Sequence, residues 1–366
     1  MQSEAILTSP LQAHVVQAIS ASGGWIGFDR FMQMALYEPG LGYYANTSPK
    51  FGALPASGSD FITAPELSPL FGQTLAVQVA EALAATGSDE VWEFGAGSGA
   101  LAAQLLEALG DRVHHYHIVD VSGTLRTRQQ ARLESWGTRV QWHGTLPPAI
   151  NGVVVGNEVL DAMPVQLLAR VGGTWHERGV ALHGNALAWA DRPTDLRPPF
   201  DIEGEHDVVT EIHPQARAFV TTLAERLLAG KGGAAFLIDY GFPEAEYYHP
   251  QRISGTLVCH QAHQVDDNPL INIGHKDITA HVDFTGIALA AQDAGLTVLG
   301  YTSQGRFLLN CGIASLMEAS SLPERANAMK VLAEHEMGEL FKIIGLATGE
   351  GWAACGFAVG DRSHRL

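Results

Sequence analysis

The sequence predicts an α/β protein built on a mainly parallel sheet with helices on both faces. The first observation is that short apolar, β-branched runs alternate with helical patterns from residue 91 onward. The predicted strands lie near 91–94, 115–120, 139–142, 152–156 and 234–239, and predicted helices include 99–109 and 214–229. The second is that the first run, "VWEFGAGSGALAAQLL", passes through a glycine cluster directly into a helical pattern. In such a sheet, ligands bind outside the carboxyl ends of the strands.

Three segments depart from this alternation. Residues 1–88 are mostly helical in pattern and form a predicted N-terminal extension, which also covers the ligand site. Residues 165–212 have turn signals at Gly172-Gly173 and Gly184-Asn185 and predict an antiparallel insertion. Residues 89–164 and 213–366 form the predicted core, in which 240–283 is expected to be a long loop-rich segment.

Composition bounds the class of protein and its partners. The chain has 366 residues, 46% of them hydrophobic and 17% charged, which is typical of a globular protein of one large domain or two. Its net charge of −17 argues against binding nucleic acid or inserting at an anionic membrane, and it favours a basic partner. No metal site is predicted, because the histidines lack the spacing of a known ligand motif.

Cysteine use and the N-terminus predict the compartment. Cys259, Cys311 and Cys355 are widely separated and form no C-x-x-C pair, which suits a reducing compartment. The N-terminus shows neither a secretory signal nor an arginine-rich transit pattern. We therefore expect a soluble cytoplasmic protein, whose oligomeric state the sequence does not define.

The glycine turn predicts a nucleotide-like cofactor. Gly95, Gly97 and Gly99 form G-x-G-x-G, which also fits a looser dinucleotide pattern. Glu93 precedes them, and its carboxylate would repel a pyrophosphate but attract the sulfonium and ammonium groups of S-adenosyl-L-methionine. Asp120, at the end of the next strand, could accept hydrogen bonds from the ribose hydroxyls of either S-adenosyl-L-methionine or a dinucleotide. The turn therefore favours S-adenosyl-L-methionine over a dinucleotide or a ligand-free turn.

An acidic stretch follows the fourth predicted strand. Asn157, Glu158 and Asp161 lie in "VVVGNEVLDAMPVQLL", at the edge of the sheet where the glycine turn also lies. Asn157 or Asp161 could instead cap a helix, and for Asp161 this interpretation is equally good. For Glu158 we favour a functional role, because a carboxylate there suits a cationic acceptor nitrogen.

Six segments together resemble one family. "GYYANTS", "GSDFITAPELSPLFG", "EFGAGSGAL", "NEVLDAMPV", "LIDYG" and "DITAHVDFT" occur in this order. They are similar to segments of the MidA family of S-adenosylmethionine-dependent methyltransferases, and the resemblance covers residues 10 to 360. Its mitochondrial members are complex I assembly factors that form symmetric dimethylarginine on a complex I subunit. This chain differs from them in lacking a transit-like N-terminus and in having Asn157 in place of a histidine.

The resemblance implies a Rossmann-like class I methyltransferase sheet with a helical N-terminal extension and an antiparallel β insertion. The predicted cofactor-binding residues are Glu93, Gly95, Ala96, Gly97, Gly99, Asp120, Val121, Asn157, Thr63 and Pro65, with Glu66 beside them. The implied acceptor is arginine of a protein substrate, with a respiratory complex subunit as one candidate.

Candidate catalytic residues are carboxylates and one histidine. An acceptor guanidinium must be oriented and must lose a proton during attack, for which carboxylates are suited. The candidates are Glu158, Asp161, Asp239, His281 and Asp283. His281 and Asp283, two residues apart in an extended segment, could equally form a substrate or base pair or fix the loop.

Other functions are compatible with the same residues. A small-molecule methyltransferase would need an enclosed pocket in place of an open groove. A cofactor-binding assembly or interaction protein with little turnover would keep the glycine turn and need no acceptor carboxylates. A dinucleotide-dependent oxidoreductase is the least favoured alternative.

Overall fold

A computed structural model of the chain describes residues 9–46, 63–120, 123–261 and 264–366. The strands are β1 (Trp25–Gly27), β2 (Glu90–Phe94), β3 (His115–Val119), β4 (Val140–His143), β5 (Gly152–Asn157), β6 (Gln166–Val171), β7 (Thr174–His183), β8 (Ala186–Pro193), β9 (Val208–Ile212), β10 (Gly233–Phe242), β11 (Val258–Gln261), β12 (Gln264–Asp266), β13 (Asp277–Thr279), β14 (Val282–Asp283), β15 (Thr297–Ser303) and β16 (Phe341–Ala347). The α-helices are α1 (Pro10–Ala21), α2 (Phe28–Tyr37), α3 (Ala64–Leu67), α4 (Pro69–Thr86), α5 (Ala100–Leu109), α6 (Gly123–Arg132), α7 (Pro214–Leu228), α8 (Glu244–Tyr247), α9 (Phe284–Asp293), α10 (Gln304–Asn310), α11 (Ile313–Ala319) and α12 (Leu322–Leu332).

The chain divides into two units, each assembled from three separate segments. The first unit consists of Met1–Ser48, Ala162–Gln215 and Tyr248–Ala280, and the second of Pro49–Asp161, Ala216–Tyr247 and His281–Leu366. The predicted segmentation at 1–88, 89–164 with 213–366, and 165–212 concerns functional roles, and it stays a prediction.

The second unit is built on an eight-stranded sheet. Seven strands follow the order β15-β16-β10-β5-β2-β3-β4, and β14 pairs with the end of β10. The five strands from β10 to β4 are parallel, whereas β16 runs antiparallel to both of its neighbours. This arrangement confirms the predicted α/β fold class. The strand order reverses between β2 and β5, the point at which open sheets of this kind bind their ligands.

Burial on both faces explains the apolar strands of this sheet. Val153, Val154 and Val155 in β5 are fully buried, which is the pattern of a strand covered by helices on both sides. In α5, Leu101, Leu105 and the other apolar side chains recur at helical spacing and turn toward the core. The central strands and the helix after the glycine turn were predicted correctly.

The first unit contains two antiparallel sheets. One has five strands in the order β1-β7-β6-β9, with β8 paired to β7, and its two hairpins turn at the predicted glycine positions. The other has three strands in the order β12-β11-β13. The expectation that 240–283 is loop-rich is therefore wrong in part. Strands of two to four residues are too short to show periodicity in the sequence.

Within the described residues, no helix has the length and apolar character that would let it cross a bilayer.

Candidate functional site

The glycine turn between β2 and α5 requires glycine for steric reasons. Gly95, Gly97 and Gly99 have positive φ of 62°, 53° and 81°. The Gly95 N–H donates to the Val119 carbonyl at 3.1 Å, which ties the turn to the end of β3. A Cβ at Gly95 would lie 3.2 Å from a methyl group of Val159. The turn is thus an open backbone surface at the start of a helix, a geometry suited to a nucleotide-like ligand.

A buried glutamine links this turn to Asp120. The Gln129 side-chain amide donates to the Gly97 carbonyl at 3.0 Å and to Asp120 Oδ2 at 2.8 Å. Its own oxygen accepts from the Trp142 indole N–H at 3.0 Å, so the orientation of the amide is fixed. Gln129 therefore holds the glycine turn and the predicted ribose carboxylate together. Its role could not be predicted from the sequence, because a glutamine in a polar helix carries no signal of burial.

Glu93 is a buried carboxyl group behind the turn. It is 2% exposed, and the Tyr116 hydroxyl donates to its Oε2 at 2.6 Å. Burial raises the pKa of Glu93 to about 8; the Tyr116 hydrogen bond opposes this, and the nearby charge of Asp120 adds to it. A positive charge placed beside Glu93 would favour its ionised form.

The N-terminal motif is attached to the same turn. Glu66, in α3, accepts hydrogen bonds from the Ser98 hydroxyl and from Arg132 Nη1, the latter at 3.1 Å. The Pro65 carbonyl accepts from the Gln104 side-chain amide in α5 at 2.7 Å. These contacts attach Glu66 to the glycine turn and Pro65 to α5, while the role of this segment in covering the cofactor stays a prediction.

The remaining predicted cofactor residues occupy different environments. Thr63 is the N-cap residue of α3, and Ala96 is buried within the glycine turn. Val121 follows the last described residue of its segment and lies outside the described residues.

The acidic loop after β5 contains a strained residue. Glu158 has a positive φ of 55°, a conformation that non-glycine residues rarely adopt. Its N–H donates to the Ile238 carbonyl at 2.8 Å. The N–H groups of 159–161 all donate to Asp239 Oδ2, at 2.9 to 3.2 Å, and Asp239 Oδ1 accepts from the Tyr240 N–H at 2.9 Å. The loop is thus wrapped around one carboxylate of β10.

Asp239 is placed to hold this loop. It is fully buried, and burial together with the carboxylates of Asp161 and Glu158 raises its pKa, while backbone N–H groups oppose the rise. Both of its oxygens accept backbone hydrogen bonds. This placement favours a positioning role for Asp239, and its predicted direct catalytic role stays a prediction.

Two neighbouring side chains complete the loop. Asn157 Nδ2 donates to Glu158 Oε1 at 2.8 Å, whereas the buried Asn157 Oδ1 accepts no hydrogen bond from the described residues. Asp161 is 5% exposed, and the Tyr240 hydroxyl donates to its Oδ2 at 2.5 Å. Tyr240 belongs to the "LIDYG" segment, and its contact with Asp161 could not be predicted from that segment.

His281 and Asp283 contact different groups. The His281 ring lies edge-on to Tyr240, with centroids 5.0 Å apart, and stacks on Phe242 at 5.2 Å. Asp283 caps α9, because its Oδ1 accepts from the Gly286 N–H at 3.1 Å. Burial raises the pKa of Asp283 to about 6, and the Gly286 N–H opposes the rise. The structure thus places His281 against Tyr240, whose hydroxyl bonds to Asp161, and gives Asp283 a capping contact.

Together, these contacts gather the carboxyl ends of β2, β3, β5 and β10 at one edge of the sheet. The contact between the Gly95 position and Val159 shows that the glycine turn and the acidic loop adjoin. In the described residues, no three His, Cys, Asp or Glu side chains are grouped to hold a metal ion.

Comparison with known proteins identifies the class. A family described as "Putative S-adenosyl-L-methionine-dependent methyltransferase" matches residues 74–302. A solved structure of a COG1565 superfamily member from Burkholderia thailandensis, bound to S-adenosyl-homocysteine, superposes with a TM-score of 0.93. The two chains are 47% identical, over 98% of this chain and 97% of the other.

Curated relatives are similar at lower identity. The Caenorhabditis elegans protein named "Protein arginine methyltransferase NDUFAF7 homolog, mitochondrial" is 29% identical over 84% of this chain and 77% of its own length. The Danio rerio and Homo sapiens proteins named "Protein arginine methyltransferase NDUFAF7, mitochondrial" are 28% and 26% identical. The aligned regions cover 86% and 92% of this chain, and 80% and 83% of the Danio rerio and Homo sapiens proteins.

The fold and these similarities define an S-adenosylmethionine-dependent methyltransferase with a Rossmann-like class I sheet. The chain belongs to the family that matches residues 74–302, and the predicted resemblance to MidA-type methyltransferases is confirmed. The predicted cofactor, S-adenosyl-L-methionine, is confirmed as well.

The prediction of a cytoplasmic location is contradicted. It rested on cysteine use and on the N-terminal sequence, whereas the curated relatives are named mitochondrial proteins.

Proposed function

We propose that this methyltransferase acts on arginine of a protein substrate. The curated relatives that cover most of the chain are named protein arginine methyltransferases. The observation that carries the proposal is the positive φ of Glu158, a carboxylate in the loop whose next residue, Val159, adjoins the glycine turn. A residue held in a sparsely populated conformation is a marker of function. The net charge of −17 is complementary to a basic peptide.

The residues around the glycine turn fit the cofactor. Gly95, Gly97 and Gly99 leave the backbone open, and the Asp120 carboxylate, oriented by Gln129, would accept the ribose hydroxyls. When bound, S-adenosyl-L-methionine supplies an electrophilic methyl group. Glu93 would stabilise its positive charge, in keeping with the preference of a buried carboxyl for a cationic neighbour.

The other predicted cofactor residues would complete this site. Ala96 and Val121 follow the glycine turn and β3, Thr63 and Pro65 belong to the N-terminal motif, and Asn157 ends β5. In this proposal, 1–88 includes the segment that covers the cofactor, 89–164 and 213–366 form the catalytic core, and 165–212 is an insertion.

Glu158 would act on the acceptor. A guanidinium is planar and rich in N–H donors, so a carboxylate orients it well. The acceptor nitrogen must lose a proton as it is methylated, and Glu158 would take that proton. His281 and Asp161 would lie beside the same group. Exclusion of water by the loop would strengthen each of these interactions.

A methyl-transfer assay tests the proposal. The full chain is incubated with labelled S-adenosyl-L-methionine and arginine peptides, or with the same peptides carrying lysine. We expect label on the arginine peptides alone. Glu158→Gln should lower kcat about 100-fold without changing cofactor affinity measured by calorimetry. Glu107→Gln, an exposed change in α5, is the matched control and should behave as wild type.

Each alternative function has a distinct outcome in this assay. If a cell extract is added to the assay and only its small molecules are labelled, the protein is a small-molecule methyltransferase and the proposal is wrong. Tight cofactor binding without transfer would indicate an assembly protein. The same assay on isolated respiratory complex subunits tests them as the natural substrate, and unlabelled subunits would remove that candidate.

A further inference from the structure

Tyr240 connects β10 to the acidic loop by a short hydrogen bond. Its hydroxyl donates to Asp161 Oδ2 at 2.5 Å, and Asp161 is 5% exposed. A hydrogen bond to a buried carboxylate is stronger and shorter than one between neutral groups. The bond spans 79 residues of sequence, so it is a tertiary contact between β10 and the loop that follows the neighbouring strand β5.

The Tyr240 ring is held on two sides. Its centroid lies 5.0 Å from that of His281 and 5.3 Å from that of Phe341, and both contacts are edge-to-face at 75°. Edge-to-face packing of aromatic rings is favourable and limits rotation of the ring. The direction of the hydroxyl group toward Asp161 is therefore fixed by packing as well as by the hydrogen bond.

The backbone beneath Tyr240 supports the same loop. Asp239, the preceding residue, accepts the N–H groups of 159–161, and its other oxygen accepts the N–H of Tyr240 itself. Asp161 is thus held twice, by its own N–H on Asp239 and by its side chain on Tyr240. A carboxylate fixed in this way needs no reorganisation when it meets a substrate.

We infer that Tyr240 is a positioning residue for methyl transfer, which holds the Asp161 carboxylate in the orientation that accepts hydrogen bonds from the acceptor guanidinium. This inference rests on the proposed function, because it gives Asp161 an acceptor-binding role. Tyr240 itself transfers no proton and forms no bond to the methyl group. Its contribution lies in the orientation of the acceptor, to which transfer rates are sensitive.

The test removes one hydroxyl group and keeps the ring. Tyr240→Phe should raise the acceptor KM and lower kcat, each about tenfold, while cofactor affinity stays at the wild-type value. Tyr301→Phe is the matched control, because the buried Tyr301 hydroxyl makes no hydrogen bond within the described part of the chain. That control should keep wild-type kinetics. Wild-type kinetics in Tyr240→Phe would overturn the inference.

A double-mutant cycle separates positioning from a merely structural role. If Tyr240 acts through Asp161, the pair Tyr240→Phe with Asp161→Asn should be no slower than Asp161→Asn alone. Additive losses, or losses that follow the melting temperature alone, would overturn the inference. Arginine methylation that is intact in Tyr240→Phe refutes the inference and leaves the proposed function standing. If the wild-type enzyme methylates an acceptor other than arginine, and the Tyr240 and Asp161 variants are still non-additive with that acceptor, only the arginine assignment is refuted.

Discussion

Two loops at the carboxyl edge of the same sheet reach a left-handed backbone in different ways. The loop after β2 uses Gly95, Gly97 and Gly99, for which positive φ carries no steric penalty. The loop after β5 uses Glu158, whose side chain makes the same conformation unfavourable by about 1 kcal/mol or more. Hydrogen bonds from the loop backbone to Asp239 offset that cost.

The difference agrees with the roles proposed for the two loops. Where the backbone itself must face a ligand, a side chain is an obstacle and glycine is used. Where a side chain must be presented, the conformation has to be imposed from outside. The buried carboxyl groups beside the two loops also differ in their hydrogen-bond donors. Glu93 accepts from a tyrosine hydroxyl, whereas both oxygens of Asp239 accept from backbone N–H groups.

The largest expected effect is a pH dependence that belongs to Glu93. Its pKa rises from 4.5 to about 8 on folding, so the folded state binds the proton more tightly. The stability from this group is therefore complete below about pH 4.5 and is lost as pH rises toward 8, by on the order of 5 kcal/mol. Urea unfolding of the ligand-free protein from about pH 4 to about pH 9, through both pKa values, measures this loss.

Glu93→Gln isolates the contribution of Glu93, since glutamine does not titrate. The difference in unfolding free energy between wild type and Glu93→Gln should change steadily across this pH range, and Glu107→Gln should keep the wild-type slope. Parallel curves for wild type and Glu93→Gln would show that Glu93 does not hold its proton on folding.

A smaller effect is expected when the support of the second loop is removed. Asp239→Ala leaves four backbone N–H groups, two of them in fully buried hydrogen bonds, without this acceptor, so the free energy of unfolding should fall by about 3 kcal/mol. Methyl transfer should fall as well, because Glu158 loses its support. Asp239→Asn keeps the shape and part of the hydrogen bonding and should lose less stability. A stable and active Asp239→Ala protein would mean that the loop holds its conformation unaided.

The smallest expected effect has the opposite sign. Glu158→Gly removes the strain of a positive φ and should stabilise the fold by about 1 kcal/mol while abolishing most activity. Asn272→Gly is the matched control, with a φ of 53° in the first unit. It should stabilise less, because asparagine tolerates this conformation better, and it should leave activity unchanged. Thermal unfolding and the transfer assay measure both, and a destabilised Glu158→Gly protein would contradict the assignment of strain.

Most of the sheet could be predicted from the sequence because its signals are local. The strand before the glycine turn, the helix after it and the position of Asp120 depend on runs of a few residues. The hairpins at Gly172 and Gly184 were predicted for the same reason. The small sheet of β11 to β13 was missed, because strands of three or four residues have too few positions to show alternation.

The partners of the site residues could not be predicted. Gln129 lies in a polar helix, and nothing near it in the sequence shows that it is buried against Gly97 and Asp120. Tyr240 lies in an apolar strand, where a tyrosine is usually a packing residue. The aspartate before it was predicted at the site, but its task of holding another loop was not.

The sequence by itself determined the elements and the chemistry of the glycine turn, because steric need and hydrophobic pattern act between residues close along the chain. Only the tertiary structure decided how the acidic loop is held. Asp239 and Val159 lie 80 positions apart and meet because β10 and β5 are neighbours in the sheet. Hydrogen-bond partners across strands depend on strand order, which no local pattern encodes, so the strain at Glu158 and its support became visible only in the fold.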